Sequence, residues 1–171
     1  LMTVVLGLST AQWAAECGLA TRLLGRDPEH AEAGLREVHH RWDRAVAQGR
    51  LSPEGRDRGR ECLSARAFSP GALEGAAAFL EALPEALELK VPALRAALAW
   101  GAPELLLLSG TSALPIADLA RGAGAMGRLV GFHLFVPVPR MAVVEMAVAE
   151  DTAQAWVDRA RALGAALGKR V

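Results

Sequence analysis

The sequence has no excess of charge of either sign, because its 19 lysines and arginines balance its 19 aspartates and glutamates. Nucleic acids and anionic membrane surfaces are bound chiefly through clustered Lys and Arg side chains. The sequence also has no apolar run of the roughly 18 residues that a membrane-spanning helix needs. We therefore expect no nucleic-acid partner and no membrane association.

Cysteine is equally scarce. Cys17 and Cys62 lie far apart in the sequence, and neither belongs to a Cys-x-x-Cys pair. This usage argues against a disulfide framework and against a structural zinc site. We therefore expect a reducing, cytoplasmic location and no bound metal.

No repeat, low-complexity segment or linker interrupts the 171 residues. Hydrophobic residues make up 52% of the chain and charged residues only 22%, a balance that favours a buried core over disorder. The length is typical of about one domain. The sequence thus predicts one globular domain over residues 1–171, which ends on an amphipathic helix at about 151–168.

Strand and helix patterns alternate along the chain. Short aliphatic runs predict strands, and longer segments with apolar residues three and four apart predict helices. The predicted strands cover 3–6, 21–24, 65–68, 76–83, 105–108, 129–135 and 142–149, and the predicted helices cover 11–17, 28–48, 52–62, 84–100, 115–121 and 151–168. This order is typical of an open, mostly parallel α/β sheet, which binds ligands beyond the carboxyl ends of its strands.

The turn after the first strand is a candidate phosphate-binding turn. A dinucleotide pyrophosphate needs glycines at the first, third and sixth positions of such a turn, where it approaches the amides of a helix N-terminus. Those positions are Gly7, Ser9 and Gln12 in this chain. Ser9 would crowd the phosphate, and Gln12 would crowd the contact between helix and strand. We expect Gly7, Ser9 and Thr10 to line a cofactor site with a degraded fingerprint.

The second strand ends without the acidic residue that holds the adenosine ribose in such sites. Gly25 stands there, followed by Arg26 and Asp27. Two substitutes are open: Arg26 could bind a phosphate on the ribose, or Asp27 could replace the missing acid. We name Arg26 as the candidate cofactor-binding residue.

His133 and Glu145 lie on the two consecutive strands that follow the last short helix. A carboxylate can orient an imidazole and stabilise its protonated form, as a general base for an alcohol requires. The alternative is a core histidine satisfied by a backbone carbonyl. The residues alone leave both interpretations open.

Two further strand ends carry polar residues. Ser112 belongs to the run 109–112, which either binds a substrate oxygen or caps the next helix. Glu81 interrupts an apolar strand, and because an unpaired buried charge is costly, it must lie near the sheet end or be paired. Lys90, nine residues later, is the available partner.

Three segments together resemble the NAD-binding domain of the L-3-hydroxyacyl-CoA dehydrogenases. They are residues 79–90 (FLEALPEALELK), 109–116 (SGTSALPI) and 131–145 (GFHLFVPVPRMAVVE). The resemblance implies a Rossmann-type fold and NAD as the cofactor, with Glu81 and Lys90 beside it. It also implies that His133 is the base for the 3-hydroxyl proton, with Glu145 orienting it and Ser112 donating a hydrogen bond to the substrate oxygen.

The chain departs from the family pattern at five positions: Ser9, Gln12, Gly25, Gly110 and Val136. The helical domain that completes the family's acyl-CoA site and forms its dimer does not follow in this sequence. We therefore expect weakened or lost cofactor binding, and self-association or a partner subunit. The leading activity is NAD-dependent oxidation of a 3-hydroxyacyl-CoA. The alternative is a non-catalytic relative that binds acyl-CoA, a nucleotide or a protein partner through the same cleft.

Overall fold

A computed structural model describes residues 2–5 and 7–171. Seven strands form one sheet in the order β3-β2-β1-β4-β5-β6-β7, and each neighbouring pair is parallel except β6 and β7. The strands are β1 (Met2–Val5), β2 (Thr21–Gly25), β3 (Leu63–Ala67), β4 (Ala78–Glu81), β5 (Leu106–Ser109), β6 (Val130–Leu134) and β7 (Val144–Val148). The predicted open, mostly parallel sheet of Rossmann type is confirmed.

The helices are α1 (Leu8–Glu16), α2 (Pro28–Ala47), α3 (Pro53–Cys62), α4 (Leu87–Trp100), α5 (Ile116–Ala123) and α6 (Gln154–Ala166), and a 3-10 turn covers Pro70–Leu73. None of the helices in the described part of the chain has both the length and the apolar character needed to cross a membrane.

Both faces of the sheet are covered, as the near-continuous apolar strands require. Successive strand residues enter opposite cores: Leu108 packs with α1, α2 and α6 on one face, whereas Leu107 packs with α4 and α5 on the other. Trp42 of α2 and Phe79 of β4 are fully buried in these two cores. The packing leaves the carboxyl ends of β1, β4 and β5 side by side at one edge of the sheet.

Most predicted elements agree with the observed ones to within a few residues. Leu6, the last residue of the predicted first strand, lies outside the described residues. The helix predicted from Pro84 begins only at Leu87, and the apolar run 76–83 forms a strand only up to Glu81. The intervening segment instead turns to bring Leu83 and Glu85 against the side chain of Lys90.

The C-terminal segment fixes β7 and the connection that precedes it. Arg170 accepts a hydrogen bond from the Val144 amide at 2.9 Å. The buried ammonium of Lys169 donates to the carbonyls of Val138, at 2.6 Å, and Met141, at 2.8 Å. These contacts hold the end of the chain against the segment that joins β6 to β7.

Candidate active site

His133 and Glu145 face each other across the antiparallel strands β6 and β7. His133 Nδ1 lies 3.5 Å from Glu145 Oε2, which is longer than a usual hydrogen bond but within ion-pair distance. Nδ1 is buried and has no hydrogen-bond partner in the described part of the chain. Glu145 therefore presents an acceptor to this nitrogen at a distance that a small side-chain adjustment would shorten to a hydrogen bond.

Ser112 joins this pair in one small cavity of about 180 Å³. The sequence predicts His133 and Glu145 on two consecutive strands and Ser112 after another strand, and the structure places all three around a common space. The other residues around this cavity are Thr111, Ala113, Leu114, Gly131 and Ala147. We call it the Ser112 cavity.

His133 also borders a second, larger cavity of about 470 Å³, which we call the α1 cavity. Gly7, Ser9 and Thr10 line it from the start of α1, where the first backbone N–H groups have no partner within the helix. The remaining lining residues are Leu8, Leu80, Ala82, Gly110, Phe132, Leu134, Val136 and Val138. His133 therefore stands between a cavity at a helix N-terminus and a cavity with a hydroxyl and a carboxylate.

The two altered fingerprint positions point in different directions. Ser9 faces the α1 cavity, and its hydroxyl accepts a hydrogen bond from Arg41 Nη1 at 3.3 Å. Gln12 instead donates to Glu16 on the same helix at 2.9 Å and lines another cavity, against Pro139 and Arg140. Ser9 is thus the altered position whose side chain faces the space expected for phosphate.

Glu81 and Lys90 form a buried ion pair at the end of β4. Lys90 Nζ lies 2.9 Å from Glu81 Oε1, and the side chains of Lys90 and Glu81 are 1% and 0% exposed. Ser109 donates to the second oxygen of Glu81 at 2.7 Å, and Lys90 also donates to the Leu83 carbonyl at 2.9 Å. Both alternatives left open for Glu81 therefore hold, since it lies at the end of β4 and is paired with Lys90.

The burial of this pair bears on its role toward a cofactor. The resemblance implies that Glu81 and Lys90 lie beside the cofactor, and neither residue lines the α1 cavity or the Ser112 cavity. A direct contact with a ligand would have to expose charges that now satisfy one another, which is costly. The structure shows the two residues holding the ends of β4, β5 and α4 together behind the cavities.

Glu85 lies at the candidate site, although the sequence pattern gave it no role. Its Oε1 accepts hydrogen bonds from the Thr111 hydroxyl and from the amides of Ser112, at 3.0 Å, and Ala113, at 2.8 Å. Its Oε2 lies 3.3 Å from Lys90 Nζ. One carboxylate therefore links the buried ion pair to the turn that carries Ser112. Its position after Pro84, between Glu81 and Lys90, was the available signal.

The electrostatics of Glu85 reflect these contacts. Partial burial on its own would raise the pKa of the Glu85 carboxyl. Hydrogen bonds from Thr111 and Ala113, together with the charge of Lys90, lower the pKa from 4.5 to about 2. The carboxylate is therefore ionised throughout the neutral range and keeps the Ser112 turn in place.

Arg26 lies apart from His133, at the end of β2. Its side chain is 79% exposed, and its Nε donates to Asp27 Oδ2 at 3.1 Å. Gly25 borders a third cavity of about 270 Å³, formed with α2 and the start of α1. Among residues 2–5 and 7–171, no group of three or more His, Cys, Asp or Glu side chains is arranged to hold a metal ion.

Replacing Glu85 with Gln should flatten the dependence of stability on acidic pH. Because the folded-state pKa lies below the ordinary value of 4.5, the carboxylate stabilises the fold above about pH 4.5 and loses this contribution as the pH falls toward about 2. Urea unfolding of the wild type and of Glu85→Gln, measured from pH 6 to pH 3, compares the two slopes. Glu61→Gln, an exposed change on α3, is the control. Identical slopes for the wild type and Glu85→Gln would show that the Glu85 contacts do not stabilise the turn.

Comparison with known proteins places the chain in a family. The model of the family "3-hydroxyacyl-CoA dehydrogenase, NAD binding domain" matches residues 4–171. A probable 3-hydroxybutyryl-CoA dehydrogenase of Bacillus subtilis is 30% identical over 153 residues, which cover 86% of this chain and 53% of the relative. The chain thus spans about half the length of that relative.

Solved structures agree with the observed fold. FadB2 of M. tuberculosis superimposes with a TM-score of 0.91 at 26% identity, over 99% of this chain and 61% of that one. The (S)-3-hydroxybutyryl-CoA dehydrogenase PaaH1 of Ralstonia eutropha gives a TM-score of 0.88 at 26% identity, over 98% of this chain and 60% of that one. The chain therefore belongs to the 3-hydroxyacyl-CoA dehydrogenase family and matches its NAD-binding domain.

Proposed function

We propose that this chain binds a nicotinamide dinucleotide in the α1 cavity and supplies the acid–base residues for oxidation of a 3-hydroxyacyl-CoA. The observation that carries the proposal is the position of His133, which borders the α1 cavity on one side and the Ser112 cavity on the other. A base at that boundary can reach a hydroxyl group whose carbon faces the dinucleotide. Two of the named relatives are described as 3-hydroxybutyryl-CoA dehydrogenases, which supports a small acyl substrate.

The residues around the α1 cavity fit a dinucleotide. Helix N-termini bind phosphate through free backbone N–H groups and the helix dipole, and α1 begins directly after Gly7. Gly7, Ser9 and Thr10 would hold the pyrophosphate, and Arg26 would face the adenosine end. Glu81 and Lys90 act indirectly, through the strand ends and Glu85.

The proposed oxidation uses both cavities that His133 borders, the α1 cavity for the dinucleotide and the Ser112 cavity for the substrate. A bound nicotinamide supplies the acceptor for the hydride that leaves C3 of the substrate. His133 takes the proton of the 3-hydroxyl, so that the C3–O bond becomes a carbonyl. Glu145 holds the imidazole and stabilises its protonated form, and Ser112 donates a hydrogen bond to the substrate oxygen.

Two features support weak cofactor affinity. Ser9 places a side chain in the α1 cavity where the fingerprint has glycine, and Arg41 holds its hydroxyl there. Gly25 provides no acid for a ribose hydroxyl. These changes favour a second candidate function, a non-catalytic relative that binds acyl-CoA, a nucleotide or a protein partner in the same cleft.

We also propose self-association or a partner subunit at the surface beside the site. Val136, on the segment that joins β6 to β7, borders the α1 cavity and is 79% exposed. An exposed apolar side chain beside the site supports an association surface there. Cys17 and Cys62 are free thiols, which supports the expected reducing, cytoplasmic location.

Removing the imidazole should abolish turnover and spare cofactor binding. NADH and NADPH are titrated into the chain while tryptophan fluorescence is followed, and acetoacetyl-CoA reduction is then assayed for the wild type and His133→Ala. General acid–base catalysis contributes about a hundredfold to ten-thousandfold, so the variant should lose that factor. His40→Ala, an exposed histidine on α2, is the control. Unchanged turnover in His133→Ala, or no binding of either dinucleotide at millimolar concentration, contradicts the proposal.

Restoring glycine at position 9 should strengthen dinucleotide binding. Ser9→Gly removes the side chain that enters the α1 cavity and lets phosphate approach the amides of α1. We expect the dissociation constant to fall about three- to tenfold, which corresponds to roughly 0.6–1.4 kcal/mol. Calorimetric titration measures the change, and the thermal midpoint checks that the fold is intact. A dissociation constant equal to that of the wild type means that Ser9 does not limit affinity.

A further inference from the structure

The end of β2 is the place where this fold class distinguishes a dinucleotide with a free 2′-hydroxyl from one with a 2′-phosphate. In this fold class a carboxylate at that position binds the 2′-hydroxyl of the adenosine ribose, whereas a nearby arginine accommodates a 2′-phosphate. This chain has Gly25 at the end of β2, followed at once by Arg26. A preference at this position presupposes the proposed dinucleotide function.

A carboxylate cannot take the place of Gly25 in the observed backbone. A Cβ atom at this position would lie 2.4 Å from the Ala31 backbone nitrogen and 2.8 Å from its Cα. Contacts that short do not occur, and backbone atoms of a helix cannot turn away as a flexible side chain can. The first turn of α2 therefore packs directly on β2. The observed backbone leaves no room at position 25 for an acidic side chain that would bind the ribose.

Asp27, the other candidate acid at this strand end, already makes two contacts within the chain. Its Oδ1 accepts a hydrogen bond from the His30 amide at 2.7 Å, which caps α2. Its Oδ2 accepts from Arg26 Nε at 3.1 Å. Both carboxylate oxygens are engaged, so Asp27 acts as a helix cap and a support for Arg26.

The contact with Asp27 uses only the Nε donor of Arg26 and leaves the other guanidinium donors available. Asp27 contacts Nε, and the two terminal nitrogens carry the remaining N–H groups. The side chain is 79% exposed, so these groups can reach a ligand in solution. A guanidinium with free terminal nitrogens matches the oxygen geometry of a phosphate.

The adjacent cavity suits an adenosine. The space of about 270 Å³ beside Gly25 is mainly apolar and reaches Leu8, at the start of α1 next to the phosphate-binding turn. The acid that lines it is Glu37, and this carboxylate is paired with Arg41 at 2.8 Å and Arg44 at 3.6 Å. A phosphate at the β2 end would therefore not meet an uncompensated carboxylate in this cavity.

We propose that the chain binds a 2′-phosphorylated dinucleotide in preference to the unphosphorylated form, and that Arg26 is the residue that determines this specificity. Gly25 removes the partner of a free 2′-hydroxyl, and Arg26 provides a partner for a 2′-phosphate.

The test uses small probes that differ only in that phosphate. Calorimetric titrations of the 171-residue chain with 2′,5′-ADP and 5′-AMP, and with NADPH and NADH, are run at one fixed low ionic strength because exposed charge contacts are screened by salt. The phosphorylated member of each pair should bind about tenfold or more tightly. Arg26→Met should remove this preference and leave 5′-AMP affinity unchanged. Arg161→Met, an exposed arginine on α6, is the matched control and should behave as the wild type.

The outcomes separate this inference from the proposed function. Equal affinity for NADH and NADPH, or tighter binding of NADH, overturns the specificity and leaves dinucleotide binding intact. A phosphate preference that survives in Arg26→Met, or disappears equally in Arg161→Met, overturns the role of Arg26. Absence of binding by both dinucleotides overturns the proposed function and this inference together.

Discussion

The carboxylate of Glu81 and the ammonium of Lys90 meet where neither is exposed to solvent, and the site is built on that contact. Taking two ions out of water costs several kcal/mol each, and the pair is tolerated only when its remaining hydrogen-bonding capacity is satisfied. Ser109 and the Leu83 carbonyl provide that satisfaction. Because these partners come from β4, β5 and α4, the pair can form only when the three elements are in register.

Glu85 connects this buried ion pair to the turn that carries Ser112. Lys90 lies against both carboxylates, and Glu85 extends from it to the amides of the turn that follows β5. Ser112 is therefore held by a chain of charge-assisted hydrogen bonds that starts in the core. His133 and Glu145 are fixed independently, by the register of β6 and β7 and by the C-terminal segment bonded to Val144. The candidate site is the place where these two systems meet.

The central strands and the environment of Glu81 could be predicted from the sequence, each for a different physical reason. Apolar runs indicated the central strands, and the cost of an unpaired buried charge indicated that Glu81 lies near the sheet end or is paired, with Lys90 as an available partner. The position of Glu85 between Glu81 and Lys90 was a signal in the sequence, but its partners could not be predicted from it, because they are a hydroxyl and backbone amides in a turn more than 25 residues away. The direction of the Gln12 side chain could not be predicted either. Helical periodicity does not say whether a long polar side chain contacts the sheet or a neighbouring residue of its own helix. The close packing of Ala31 on Gly25 appears only in three dimensions.

The central claim is that His133 separates a dinucleotide side from a substrate side. The most direct measurement is the map of backbone amide chemical-shift changes in the 15N-labelled chain, first with the reduced dinucleotide that binds more tightly and then with acetoacetyl-CoA. The account predicts that the dinucleotide shifts the amides of Leu8, Ser9, Thr10 and Gly110, and that acetoacetyl-CoA shifts those around Ser112. Dinucleotide-induced shifts confined to the Ser112 cavity, with the amides at the start of α1 unmoved, would contradict it.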